Sequence, residues 1–345
     1  MADFRRPPLA PMLALGALLA TAGAAGPALA WEDVGHRWIG TLGMQALPAS
    51  LPAFLRTPEA ARDVGEWARE PDRSRGAGRA HDQDRDPGHF ADIDDNGKLL
   101  GGPTLDHMPV TREEYEKQLQ AVGTDSWKAG YLYYNLVEGW QQLVKDFAYW
   151  RADSHGEKTA KDPAHRAWLK QDRVRREEQL IFDLGSWSHF VGDGSQPLHV
   201  TYHYNGWGPY PNPKGYTTEH IHGPFEGDFV NHNLTLEAVK AAMRAPADCG
   251  SCDIAAMSGG YLQNTHQYVE TVYQMWKDGE LKDGNPKGKA FVAARVADGA
   301  AELRDMVTAA WNASGKMVVG YPGVAASDVE AGKAGDAYDL LYGGH

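Results

Sequence analysis

The run His189-Phe190-Val191-Gly192-Asp193-Gly194-Ser195-Gln196-Pro197-Leu198-His199 sets two imidazoles and a carboxylate close together at the end of a strongly apolar stretch. On a helix, His189 and Asp193 are four residues apart, so they project from one face and can converge on one ion. Pro197 must break that helix, which puts His199 beyond it, within reach of a neighbouring position. His222 and Glu226 repeat the four-residue spacing. Imidazole nitrogen and carboxylate oxygen together form a common ligand set for zinc. One such pair is ordinary on a helix surface. Two pairs plus His199, in a chain with 14 histidines, point to a metal centre.

Further candidates lie in residues 71–103, where Asp, Arg, Gly and Pro dominate and apolar periodicity is almost lost. A loop of that length in a compact domain is usually functional or disordered. It holds Asp72 and Arg75 in Glu70-Pro71-Asp72-Arg73-Ser74-Arg75, and His89 in Gly88-His89-Phe90-Ala91-Asp92. His81, Asp82, Asp84 and Asp86 lie in the same loop, and spacing alone does not choose among them.

The elements that must position these residues read as helices. Gly35–Leu47 carries Trp38, Ile39, Leu42 and Ala46 on one face, and 58–70 is a shorter helical pattern. Thr111–Ala121 opens with Thr111 and Glu114 in a capping-box arrangement. Ser126–Ala152 and Asp162–Gly192 show 3.6-residue spacing, and 222–244, 258–279 and 286–314 follow. Residues 200–220 are Tyr-, Gly- and Pro-rich and loop-like. No alternating strand pattern, internal repeat or heptad array is present. The expected fold is all-α, a single multi-helix domain over 31–318 with a Gly/Ala-rich tail at 319–345 that is partly ordered at best.

Residues 1–30 have the layout of a secretory signal, with Arg5 and Arg6, an apolar stretch from Leu9 to Leu19, and Ala28-Leu29-Ala30 as an A-x-A cleavage site. Cleavage would leave 315 residues beginning at Trp31, and would make the protein secreted or periplasmic. The formal net charge is −12, and loss of a segment carrying Asp3, Arg5 and Arg6 takes it to −13. Such a balance argues against tight binding of duplex phosphates through basic patches. It does not exclude phosphate chemistry, because bound divalent cations can dominate the local charge. Two cysteines cannot build a four-cysteine zinc site, and in an exported chain Cys249 and Cys252 read as a local disulfide.

Trp31-Glu32-Asp33-Val34-Gly35-His36, Asp72-x-x-Arg75, His89-Phe90-x-Asp92 and the run from His189 to His199 together resemble the mung bean nuclease family. These are secreted single-strand nucleases with three zincs, in a superfamily shared with bacterial zinc-dependent phospholipase C. The motifs span residues 31 to 226. The resemblance implies that Trp31 binds one zinc through its free α-amino group and carbonyl oxygen, beside His36. It assigns Asp72, His89 and His189 to a second zinc, with Asp193 bridging to the first, and His199, His222 and Glu226 to a third. An α-amine with a pKa near 8 can bind a metal at modest cost in proton loss, and only cleavage before Trp31 creates it.

By the same resemblance, an activated hydroxide attacks phosphorus in line. Arg75 stabilises the pentavalent phosphorane, and Phe90 and Asp92 stack on and hydrogen-bond to a nucleobase. The implied substrates are single-stranded DNA or RNA and nucleotides, with Asp72, Arg75 and Asp193 the residues closest to the chemistry. Glu226 stands where the nucleases usually have aspartate and phospholipase C has glutamate, so phospholipid is the alternative substrate. His220, two residues from His222, is a competing ligand. The family generally carries more disulfides than Cys249–Cys252 could provide. A non-catalytic helical binding protein is the competing reading of a different class. No stable protein partner is expected.

Overall fold

The computed structural model describes residues 31–248 and 253–343. In chain order the helices are α1 (Glu32–Gln45), α2 (Pro58–Trp67), α3 (Arg79–Asp82), α4 (Arg112–Ala121), α5 (Ser126–Ala129), α6 (Leu132–Thr159) and α7 (Pro163–Asp193). They continue with α8 (Phe229–Asn233), α9 (Leu236–Ala242), α10 (Ile254–His266), α11 (Val269–Lys277), α12 (Pro286–Ser314), α13 (Ala326–Glu330) and α14 (Ala337–Tyr342). The one sheet among the described residues is a two-residue ladder, β1 (Val318–Val319) antiparallel to β2 (Val324–Ala325). The fold is all-α and a single compact domain.

Local chemistry sets the helix starts. Thr57, Asp162 and Asn285 each cap a helix by accepting a backbone N–H, and each is followed by a proline. Proline at the first helical position lacks only an N–H that would have no partner there. Thr111 caps α4 by accepting from the Glu114 N–H at 3.2 Å.

The connection from α6 to α7 is three residues long, so the two pack as antiparallel neighbours. With α1, α2 and α12 they enclose the main core, which includes Ile39, Leu42, Leu143, Phe147, Leu184, Val191, Val296 and Leu303. Gly43 allows α1 and α12 to approach closely: a Cβ there would lie 2.7 Å from Leu303 Cδ2.

Several expectations need revision. The 126–152 helix is two elements, because Gly130 turns the chain at φ 75° between α5 and α6. The 222–244 helix is a π-helical turn (Pro224–Asp228) followed by α8 and α9, and 258–279 is interrupted between α10 and α11. The tail after Val318 is built into the fold. Val319, Ala326, Val329, Ala337 and Leu340 form a second buried cluster with Ala148, Ala152, Ala160 and Leu169 of the α6–α7 hairpin and its connection. Small residues on both sides let these surfaces meet, and a Gly/Ala-rich composition disguises that as disorder. The expected signal segment 1–30 and the Cys249–Cys252 pair lie outside the described residues. No helix among the described residues is long and apolar enough to cross a membrane.

Candidate metal centre

The C-terminal turn of α7 carries His189 and Asp193, both fully buried. A helix C-terminus bears partial negative charge and favours a cation. Beyond it, Gln196 caps a 3-10 turn, Pro197–His199, that brings His199 back toward the helix end. His36 comes from α1 and stacks on His189, with ring centroids 3.8 Å apart. Asp72 and His89 come from short 3-10 turns, Pro71–Ser74 and Asp86–His89, within the irregular loop. Glu226 sits on the π-helical turn, which widens the backbone and sets its Oε2 2.9 Å from His222 Nε2.

Three ligand groups result, each with donor atoms within 4.8 Å of one another: His36, His189 and Asp193; Asp72, His89 and His189; and His199, His222 and Glu226. His189 belongs to the first two. Asp193 lies between them: its Oδ1 is 3.4 Å from His36 Nε2, while its Oδ2 is 3.1 Å from His89 Nδ1 and 3.4 Å from His189 Nε2. His199 lies between Asp193 and Glu226, 4.0 Å from Asp193 Oδ1 through Nδ1 and 3.6 Å from Glu226 Oε2 through Nε2.

The ring orientations suit metal binding. His189, His199 and His222 each use Nδ1 to donate to a backbone carbonyl: Ala68 at 2.8 Å, His89 at 2.6 Å and Tyr204 at 3.0 Å. That leaves each Nε2 as a bare lone pair facing carboxylates, the usual second hydrogen bond of a metal-ligating histidine. Asp193 Oδ1, His199 Nε2 and Glu226 Oε1 are buried with no hydrogen-bond partner. His89 Nδ1 and His189 Nε2 approach to 2.9 Å with carboxylates beside them. So many lone pairs facing one another in a buried space are costly unless a cation or protons lie among them.

Burial governs the titration here. It pushes Asp72 up to about 6, against the lowering effect of Arg75, and holds Asp193 well above the carboxylate range. It lowers His189 to about 3 and His89 well below the usual imidazole value. His89 and His189 are therefore neutral, the form in which imidazole binds a metal.

Trp31 is fully buried, and its indole N–H donates to Gly192 O at 3.0 Å and Ser195 Oγ at 2.8 Å. Its carbonyl accepts the Gly35 N–H at 3.0 Å, and its backbone opens α1. The indole thus ties the start of α1 to the end of α7, one residue before Asp193. Gly192 makes that junction possible, since a Cβ there would lie 2.8 Å from His36 Nδ1.

Above the ligands opens a concavity of about 570 Å³ lined by Arg75, Phe90, Asp92, His199, Tyr204 and His222, among others. Arg75 is held between Asp72, 3.5 Å from Nη1, and Asp86, 2.9 Å from Nε. Burial holds the Asp92 carboxyl well above its usual range. His222, not His220, joins the ligand group; His220 is exposed on the concavity wall. Asp86 pairs with Arg75, and Asp82 accepts the Gly76 N–H. His81 and Asp84 are exposed.

Gln196 is a site residue that sequence reading passes over. Its Nε2 donates to Glu226 Oε2 at 2.8 Å and lies 3.2 Å from His222 Nε2. Its one signal is its place between two candidate ligands. No protein-family model and no curated protein matches this chain.

Proposed function

We propose that this chain is an exported three-zinc phosphodiesterase acting on single-stranded nucleic acid. The observation that carries the proposal is the convergence of eight buried or nearly buried His, Asp and Glu ligands from six segments around Asp193, beside a concavity with one arginine held at its edge. His36, Asp72, His89, His189, Asp193, His199, His222 and Glu226 would hold the metals, with Trp31 adding its amine after cleavage. Bound there, zinc would supply Lewis acidity toward the phosphodiester and favour deprotonation of water at neutral pH.

The residues of the chain do the rest. Arg75 offers a charge-assisted donor to phosphate oxygens, and its pairing with Asp72 and Asp86 fixes its position. Phe90 presents a stacking face. Asp92, neutral when buried, can both donate to and accept from a base edge. Ligands that are buried or nearly so limit the bulk water that competes with these contacts.

Glu226 favours phospholipid as the second reading. Side-by-side assays of the mature protein on single-stranded DNA, RNA and phosphatidylcholine test the choice. Cleavage of nucleic acid is expected, and hydrolysis of the lipid alone would overturn the proposal.

A further inference from the structure

Trp127, on α5, is 53% exposed. Its backbone is nevertheless pinned: Asp125 caps α5, the Ser126 N–H donates to Glu116 Oε2 at 2.9 Å, and Ala129 is buried. An indole so displayed on a fixed element is available to a ligand. It lies on a boundary, because Trp127 and Asp86 line both the concavity above the metal centre and a second one of about 510 Å³. The other walls of the second are Arg79, Asp82 and Gln83.

The charges there are arranged unevenly. Asp86 is engaged by Arg75 at 2.9 Å, and Asp82 accepts the Gly76 N–H at 2.9 Å. Arg79 donates from Nε to the neutral Gln83 Oε1 at 2.6 Å. Among the described residues it has no carboxylate partner, in a chain of net charge −12. A flat aromatic face beside an unmatched guanidinium suits a base joined to a phosphate. An acyl chain would need a continuous apolar wall, and here a single indole stands among charged and amide side chains.

We propose that this second concavity is a subsite for a nucleotide adjoining the scissile phosphate, with Trp127 stacking on the base and Arg79 pairing with the phosphate. The proposal rests on the reading of the metal centre as one that cleaves single-stranded nucleic acid. It makes the protein favour strands over mononucleotides.

The test compares the metal-loaded protein with Trp127→Ala, Trp127→Phe and Arg79→Gln. A single-stranded decamer, a 3′-mononucleotide and a cleavage-resistant phosphorothioate decamer, the last followed by fluorescence anisotropy, are the probes. Trp127→Ala should raise KM for the decamer and Kd for its analogue by roughly 5- to 150-fold, as loss of one stacked base does. KM for the mononucleotide and kcat should stay unchanged, and Trp127→Phe should restore most of the loss. Arg79→Gln should weaken decamer binding and reduce its salt dependence. Decamer KM and Kd indifferent to Trp127, or equal losses on decamer and mononucleotide, would overturn the subsite. A wild-type protein that binds the analogue through Trp127 yet cleaves no nucleic acid would keep the subsite and overturn the nuclease reading. One that cleaves the decamer regardless of Trp127 would do the reverse. One that neither binds nor cleaves would overturn both.

Discussion

His89 Nδ1 lies 3.1 Å from Asp193 Oδ2, although 104 positions separate the two residues. The contact joins the irregular loop to the end of α7, and around it the other candidate ligands gather. Its consequences can be tested residue by residue.

Gln196 holds Glu226 and faces His222 through its amide. Gln196→Ala should lower metal affinity by roughly 10–100-fold, as loss of a supporting hydrogen bond to a ligand does, with helical content unchanged. Competition against a chelator with a metal-sensitive absorbance measures it. Unaltered affinity would show that the amide does not support the ligands.

Trp31 is tied by its indole to Gly192 and Ser195. On the proposed reading, its free amine matters more than that anchor. A form extended before Trp31 should bind one metal fewer and lose most activity, as read by metal analysis alongside intact mass. Full activity with a tag fused directly before Trp31 would refute the amine's role.

Burial holds Asp92 in the protonated form well above the ordinary carboxylate range. Asp92→Asn should therefore leave nucleic-acid KM near the wild-type value around neutral pH, while Asp92→Ala raises it by roughly 2- to 12-fold, the effect of one hydrogen bond. As pH rises and Asp92 ionises, wild-type KM should increase and that of Asp92→Asn should not. Parallel pH profiles of the two would count against a neutral Asp92 at the substrate.

Asp153, on α6, is buried with neither carboxylate oxygen hydrogen-bonded. Burial, assisted by Asp172, pushes it up to about 8 from an ordinary 3.8. The folded state then holds a proton that the unfolded chain releases, so this contribution to stability is complete below about pH 4 and is lost as pH rises toward 8. Asp153→Asn should change little at pH 4 and stabilise by something on the order of 6 kcal/mol at pH 9, the full shift from 3.8 to about 8. Urea unfolding at both values measures it, and equal effects at the two would contradict the assignment.

The readable part of this site is what helical geometry encodes. His189 and Asp193, four apart in an apolar helical run, could be placed on one face from spacing alone. His222 and Glu226 have the same spacing but sit at a π-helical turn, whose wider backbone no periodicity announces. Asp72 and His89 stood among several loop acids and histidines, because a 3-10 turn in a long loop leaves no repeating pattern. Only their resemblance to a family motif singled them out. Gln196 and the Trp31 indole act through tertiary hydrogen bonds to residues far along the chain or across a turn, which no local pattern records. The order of the C-terminal tail is hidden for a related reason: Ala326, Val329 and Ala337 pack against Ala148, Ala152 and Leu169 through small side chains that read as low hydrophobicity.

The central claim is that these buried histidines and carboxylates hold metal. Elemental analysis of the purified mature protein, with protein concentration from amino-acid analysis, tests it directly. Three zincs per chain are expected, with fewer in Asp193→Asn, where the carboxylate between two ligand groups is lost. Fewer than two zincs in the wild-type protein would contradict it.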